Sequence, residues 1–161
     1  MHKFFYTPAF LITTLLFFTV SFASELSDYT ARVLAETKDS SRWEYIGKTK
    51  SGYFGFLDIE RFEIDGSERN AWTKVIFRDE GLKKEIDGKE RIIVYSITNR
   101  IYDCSEKRLS DLTLVDYDSE GNSYSTDFKK LYRAYPEKKW IDVPPGSLGD
   151  YLLEFVCEYR K

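Results

Sequence analysis

The chain has 161 residues, enough for one domain, with 24 basic and 27 acidic residues and a net charge of −3. That balance gives no basic surface of the kind that releases counterions from a phosphate backbone, so nucleic acid is excluded as a partner. The single histidine is His2, which lies in the leader described next, so the rest of the chain has no Ser–His or Cys–His nucleophilic site and no His-ligated zinc.

Met1, His2 and Lys3 open the chain with a short basic start, and Phe4 to Phe22 is almost wholly apolar and uncharged. Small residues at Ser21 and Ala23 place signal-peptidase cleavage after Ala23, making residues 1–23 a signal peptide. Pro8 interrupts the run, leaving a core of signal length rather than a membrane anchor. Lys3 is the one charged residue of that leader, so the remainder holds 23 basic against 27 acidic residues, a net charge of −4 and no integral membrane span. No cysteine stands near the cleavage point to carry a lipid.

Residues 24–41 are polar and charged, with a weak helical pattern in Ala31, Leu34 and Ala35, and read as a polar N-terminal tether without a core role. From residue 42 one domain runs to residue 161. Its period is two: Trp43 and Tyr45 alternate with Glu44 and Ile46, a turn at Lys50 to Gly52 leads into Tyr53 to Leu57, and Phe62 to Ile64 meets Ala71 to Phe77 across Asp65-Gly66. Arg78 to Arg91 is a mixed-charge stretch with a second Asp-Gly at Asp87-Gly88; it reads as a solvated edge guarded by charge, or as a projecting hairpin. Ile92 to Cys104 is the most β-prone run, followed by Leu112 to Tyr117 and, after a turn at Ser119 to Asn122, by Ser123 to Thr126. Strands at this spacing, with no helix between them, predict an antiparallel sheet of about six strands in an α+β fold.

Pro144-Pro145-Gly146 stops the sheet pattern, and Ser147 with Asp150 three residues on forms a helix cap with an acid in the first turn. Leu148, Leu152, Phe155, Val156 and Tyr159 then recur on one helical face. The two cysteines, Cys104 and Cys157, admit one intramolecular pairing in an exported chain, and their bridge ties this helix to the strand ending at Cys104.

No phosphate-binding glycine loop and no nucleophile elbow is present, so no catalytic residue, cofactor or metal is assigned and the chain is not read as an enzyme. Asp116, Asp118, Glu120, Gly121 and Asp127 approximate a calcium loop, but Glu120 and Asp127 are off-pattern and the flanks read as strands, so the run is taken as a turn. Trp43, Trp72 and Trp140 are taken as core or sheet-face residues of a small domain.

Taken in order, Trp43, the Tyr53 to Asp58 strand, Trp72, Tyr102-Asp103-Cys104, Tyr117 with Gly121, Trp140, Val143-Pro144-Pro145-Gly146-Ser147 and the closing Cys157 resemble the bacterial surface-adhesin protein E family over about residues 42 to 158. The resemblance implies an envelope protein of a Gram-negative bacterium, in the periplasm or on the outer surface. It further implies a protein partner drawn from host extracellular matrix or serum, and a chain able to form a homodimer. It assigns no binding residues. The rival reading is a soluble periplasmic accessory protein without a host partner.

Overall fold

The computed structural model describes residues 27–77 and 81–159. The signal peptide read over residues 1–23 lies outside the described residues, among which no helix is long and apolar enough to cross a membrane. The elements are a helix α1 over 27–38, strands β1 (Trp43–Lys48), β2 (Phe54–Asp58), β3 (Glu63–Asp65), β4 (Glu68–Ile76), β5 (Leu82–Ile86), β6 (Lys89–Asp103), β7 (Arg108–Asp118) and β8 (Ser123–Asp127), helix α2 (Lys129–Ala134), a 3-10 turn (Pro136–Lys138), β9 (Ile141–Asp142) and helix α3 (Leu148–Glu158).

The nine strands of the described residues join one antiparallel sheet in the order β1-β2-β4-β6-β7-β8, with β3 on β4, β5 on β6 and β9 on β7. The α+β class holds, with more strands than six. The additional pieces are short or charged: β5 reads Leu-Lys-Lys-Glu-Ile and β9 has two residues, so neither shows a two-residue apolar alternation. The Asp87-Gly88 turn makes β5 a strand. Both residues have positive φ (51° and 72°), the backbone of a tight hairpin turn, and Ile86 pairs with Lys89 across it. β6 pairs with β7 only from Ile93 onward, so β5 and residues 89–92 of β6 extend beyond the end of β7 as a two-stranded arm.

Side chains alternate across the pleat, and the two faces carry different helices. On one face Ile46, Leu57, Ala71, Val75, Ile93, Tyr102 and Leu109 form the main core with Leu152, Leu153 and Val156 of α3. Leu148, Phe155, Cys157 and Tyr159 flank that stripe half-buried, and Phe62 stands edge-on to Tyr159 at 5.2 Å. Cys104, one residue past β6, is bonded to Cys157 with Cα atoms 5.7 Å apart, so the longest strand and the last helix are one covalent unit.

The opposite face holds a second core, and here the tether expectation fails. Val33 of α1 packs with Phe56 and Ile76, and Tyr29, Leu34, Trp43, Phe54 and Tyr95 surround them. The buried face of α1 runs through Thr30, Val33, Leu34 and Thr37, at i, i+3, i+4 and i+7, whereas Ala31 and Ala35 of the expected pattern are exposed. Two of those four positions are threonines, so an apolar stripe is absent from the sequence although the helix is seated. The Thr37 hydroxyl satisfies itself inside the helix by donating to the Val33 carbonyl at 2.7 Å. The protein therefore has three layers: α1, sheet, α3.

Candidate binding surface

The acidic residues nominated as a calcium-like run are drawn to different tasks. Asp116 accepts from the Ser96 hydroxyl at 2.5 Å and pairs with Lys84 of the arm. Asp118 accepts from the backbone N–H groups of Glu120 (2.9 Å) and Asn122 (2.8 Å), the Asn122 amide (3.1 Å) and the Tyr124 hydroxyl (2.8 Å). Asp127 accepts from Lys129 N at 2.9 Å, where α2 begins. The stretch is a turn built on Asp118.

Other inward carboxylates are likewise taken up locally. Asp58 holds Arg42 and the turn after β2, Asp111 pairs with the half-buried Arg100, and Asp103 accepts from Ser105, Glu106 and Arg108. The hydrogen bond from Ser105 leads the effects that hold Asp103 below the usual carboxylate range. Burial would raise Asp118, but the donors from Asn122, Tyr124 and Glu120 outweigh it and hold it low as well. A depressed carboxylate stays ionised near neutrality, the opposite of what a general acid needs.

Of the three tryptophans read as core or sheet-face residues, Trp43 lies on β1 against the second core and Trp72 on β4; all three are half-buried, and each carries a cation. Arg42 lies 5.4 Å from the ring centre of Trp43, Arg61 5.8 Å from Trp72, and Arg108 and Lys139 4.6 and 4.8 Å from Trp140. This arrangement continues over the α1 side of the sheet. Lys38 of α1 lies 5.1 Å from the Tyr45 ring and 5.7 Å from Phe54, and Lys48 of β1 lies 4.9 Å from Phe54. Tyr45 is 43% exposed and packs 5.3 Å from Phe56, so one aromatic patch starts in the second core and ends in solvent.

Below this patch Lys74 enters from β4 between Trp43 and Tyr95, 5.7 and 4.7 Å from their ring centres, and donates to Thr37 at 2.5 Å. Burial lowers its pKa to about 8, and the carboxylate of Glu36 offsets part of that fall. Tyr95, stacked on Tyr117 at 4.4 Å, is pushed up to about 12 by the same burial.

Lys48 also lines a cleft of about 580 Å³ between the β1–β2 turn and the first turns of α3. One wall is Lys48, Thr49, Lys50 and Ser51; the other is Gly146, Ser147, Asp150 and Glu154; Tyr53, Leu148 and Tyr151 supply the apolar lining. Ser147 and Asp150, the nominated helix cap, lie here. The Ser147 hydroxyl accepts from Asp150 N at 3.2 Å, and the Asp150 carboxylate accepts from Gly146 N at 2.7 Å. Cys104 and Cys157 do not line the cleft; they hold α3, its second wall, on the sheet. In the sequence, Lys50 to Gly52 reads as a turn and α3 as an apolar stripe. Tyr151 and Glu154 lie off that stripe, on the side that faces the turn, and only the packing of α3 reveals it.

The family model for surface-adhesin protein E matches residues 43–158. Solved structures of Haemophilus influenzae protein E are similar to the chain. Crystal form II has 16% identity, covers 75% of this chain and 91% of that chain, and gives a TM-score of 0.46. Protein E from non-typeable Haemophilus influenzae has 19% identity, covers 73% and 76%, and gives 0.43. No curated protein matches the chain.

Proposed function

Because the chain belongs to the surface-adhesin protein E family, we propose that it is an exported binding protein, held at the outer surface of a Gram-negative envelope, whose partner is a host matrix or serum protein. The observation that carries this reading beyond family membership is the patch formed by Lys38, Tyr45, Lys48 and Phe54. Protein interfaces are enriched in tyrosine, tryptophan and phenylalanine, because a rigid ring brings large contact area at small entropic cost, and Tyr45 and Phe54 supply the rings of this patch. Here rings and cations share one exposed side of the molecule, and the 43% exposure of Tyr45 leaves area for a partner to bury. The surrounding acids and bases are mixed in sign, which favours a protein partner over a polyanion.

The test is topological and then biochemical. Protease added to intact cells removes the protein, and the purified mature chain binds immobilised laminin or vitronectin, with Tyr45→Ala weakening that binding. Protection in intact cells with digestion only after outer-membrane rupture assigns the protein to the periplasm and makes it an accessory protein without a host partner.

A further inference from the structure

We propose that the cleft between the β1–β2 turn and α3 takes an extended peptide segment of a partner protein, one bearing a carboxylate and a basic side chain on either side of an apolar residue. This rests on the binding reading above and names the chemistry that reading requires.

The volume of about 580 Å³ lies within the range of sites that enclose a small ligand or a few residues of peptide. The charges are divided by wall. Lys48 and Lys50 stand on the strand turn, and Asp150 and Glu154 stand on the helix. Two of the four are already engaged, since Asp150 closes the cap on Gly146 N and Lys48 lies over Phe54. The side chains of Lys50 and Glu154 make no ion pair or hydrogen bond with another described residue, so one cation and one anion line the cleft with their charges unpaired.

The lining between them is apolar. Tyr53 is braced edge-on against Phe77 at 5.3 Å, Leu148 packs against the main core, and Tyr151 is held over the backbone at Gly47. A site with fixed aromatic walls and opposite free charges selects a ligand with the complementary order of charge. A free amino acid does not fit this division, because its ammonium and carboxylate sit on one carbon and cannot reach separate walls. A phosphate or lone carboxylate does not fit either: Asp150 N is taken by Ser147, and the Asp150 carboxylate stands at the helix start where an anion would bind.

The probes are the blocked tripeptides acetyl-Glu-Phe-Lys-amide and acetyl-Lys-Phe-Glu-amide, with acetyl-Gln-Phe-Gln-amide as the uncharged control, titrated into the ¹⁵N-labelled mature protein. At least one charged peptide gives saturable amide shifts confined to residues 48–53 and 146–154 and binds more tightly than the control. Lys50→Glu and Glu154→Lys each weaken it about fivefold, as expected for an exposed charge pair turned to repulsion. Glu137→Lys, outside the cleft, leaves it unchanged. Equal binding of the uncharged peptide, or no saturable shift with any of the three, overturns the proposal. The same variants are then assayed on laminin or vitronectin. Loss of matrix binding in Lys50→Glu places the cleft at the host interface. Full matrix binding by a protein whose cleft binds no peptide removes the cleft and leaves the surface reading standing. Peptide binding without matrix binding keeps the cleft and removes the host partner.

Discussion

The hydroxyl of Tyr151 on α3 occupies the place that a side chain at Gly47 on β1 would need, with the ring carbon that carries it 3.0 Å from that point. Gly47 has φ +153° and follows a register shift in the β1–β2 pairing, and the Tyr151 oxygen lies 3.5 Å from the Ile46 carbonyl oxygen. A bulge in an edge strand has thus made room for a helix side chain, and the same contact forms a wall of the cleft. Gly47→Ala should lower stability by about 1–3 kcal/mol from backbone strain and the ring contact together. In a Tyr151→Ala background the loss should shrink without vanishing, since only the ring contact is relieved. Urea unfolding of the four proteins measures this. A Gly47→Ala protein as stable as wild type would mean the edge is free to rearrange.

The Cys104–Cys157 bridge joins residues 53 apart in sequence. Chain entropy assigns such a loop about 4 kcal/mol, a large share of the roughly 5–15 kcal/mol net stability of a domain. Cys104→Ser and Cys157→Ser should each shift the unfolding midpoint down by a similar amount, and reductant should lower wild type to their level. Reductant-independent stability of the wild type would contradict the constraint.

Val33 is 7% exposed and is the buried aliphatic residue of α1 in the core with Phe56 and Ile76, flanked by the half-buried Leu34. Val33→Ala should cost about 1–2 kcal/mol, the range for removing buried methyl groups. Amide exchange across 27–38 should rise with it. If α1 contributes nothing to folding, the variant will unfold with the wild type.

Asp118 is 2% exposed and holds four donors, which keep its pKa below that of an unfolded aspartate. A carboxyl depressed in the folded state stabilises fully above its unfolded pKa of about 4 and loses that effect as pH falls through the folded value. Asp118→Asn should therefore cost about 1.5–3 kcal/mol at pH 7, the range for hydrogen bonds to a charged group. The gap from wild type should close on acidification toward pH 2. A gap that stays constant with pH would show that shape, and not charge, is what the turn needs.

Lys74 behaves with the opposite sign. Its folded pKa of about 8 lies below the ordinary lysine value of 10.5, so protonation favours the unfolded chain. That penalty is whole below pH 8 and disappears as pH rises toward the unfolded value. The stability of wild type relative to Lys74→Met should climb between pH 7 and pH 10, read from urea midpoints. Above pH 10 both proteins lose stability as tyrosines ionise in the unfolded chain, Tyr95 among them with its folded pKa raised to about 12. A flat difference would mean that α1 leaves Lys74 open to water.

The local and covalent features were readable from composition and period. Two-residue alternation and β-prone runs marked β1, β2, β4, β6, β7 and β8, Asp65-Gly66 marked a hairpin turn, and the count of two cysteines left one partner for each. These depend on a residue and its near neighbours, or on a number that admits one solution. The placement of α1 depends on something else. Thr30 and Thr37 are buried because the face of β2 and β4 opposite α3, with Phe56 and Ile76, needs a cover, and no pattern within residues 27–38 announces that need. The cleft arises in the same way, from Lys50 on a strand turn and Glu154 on a helix about a hundred positions later, which line one cleft only because α3 packs on the sheet where the disulfide and Leu152, Leu153 and Val156 hold it. Side-chain chemistry travels with the sequence; the distance between two charges far apart in it is set by how the layers pack.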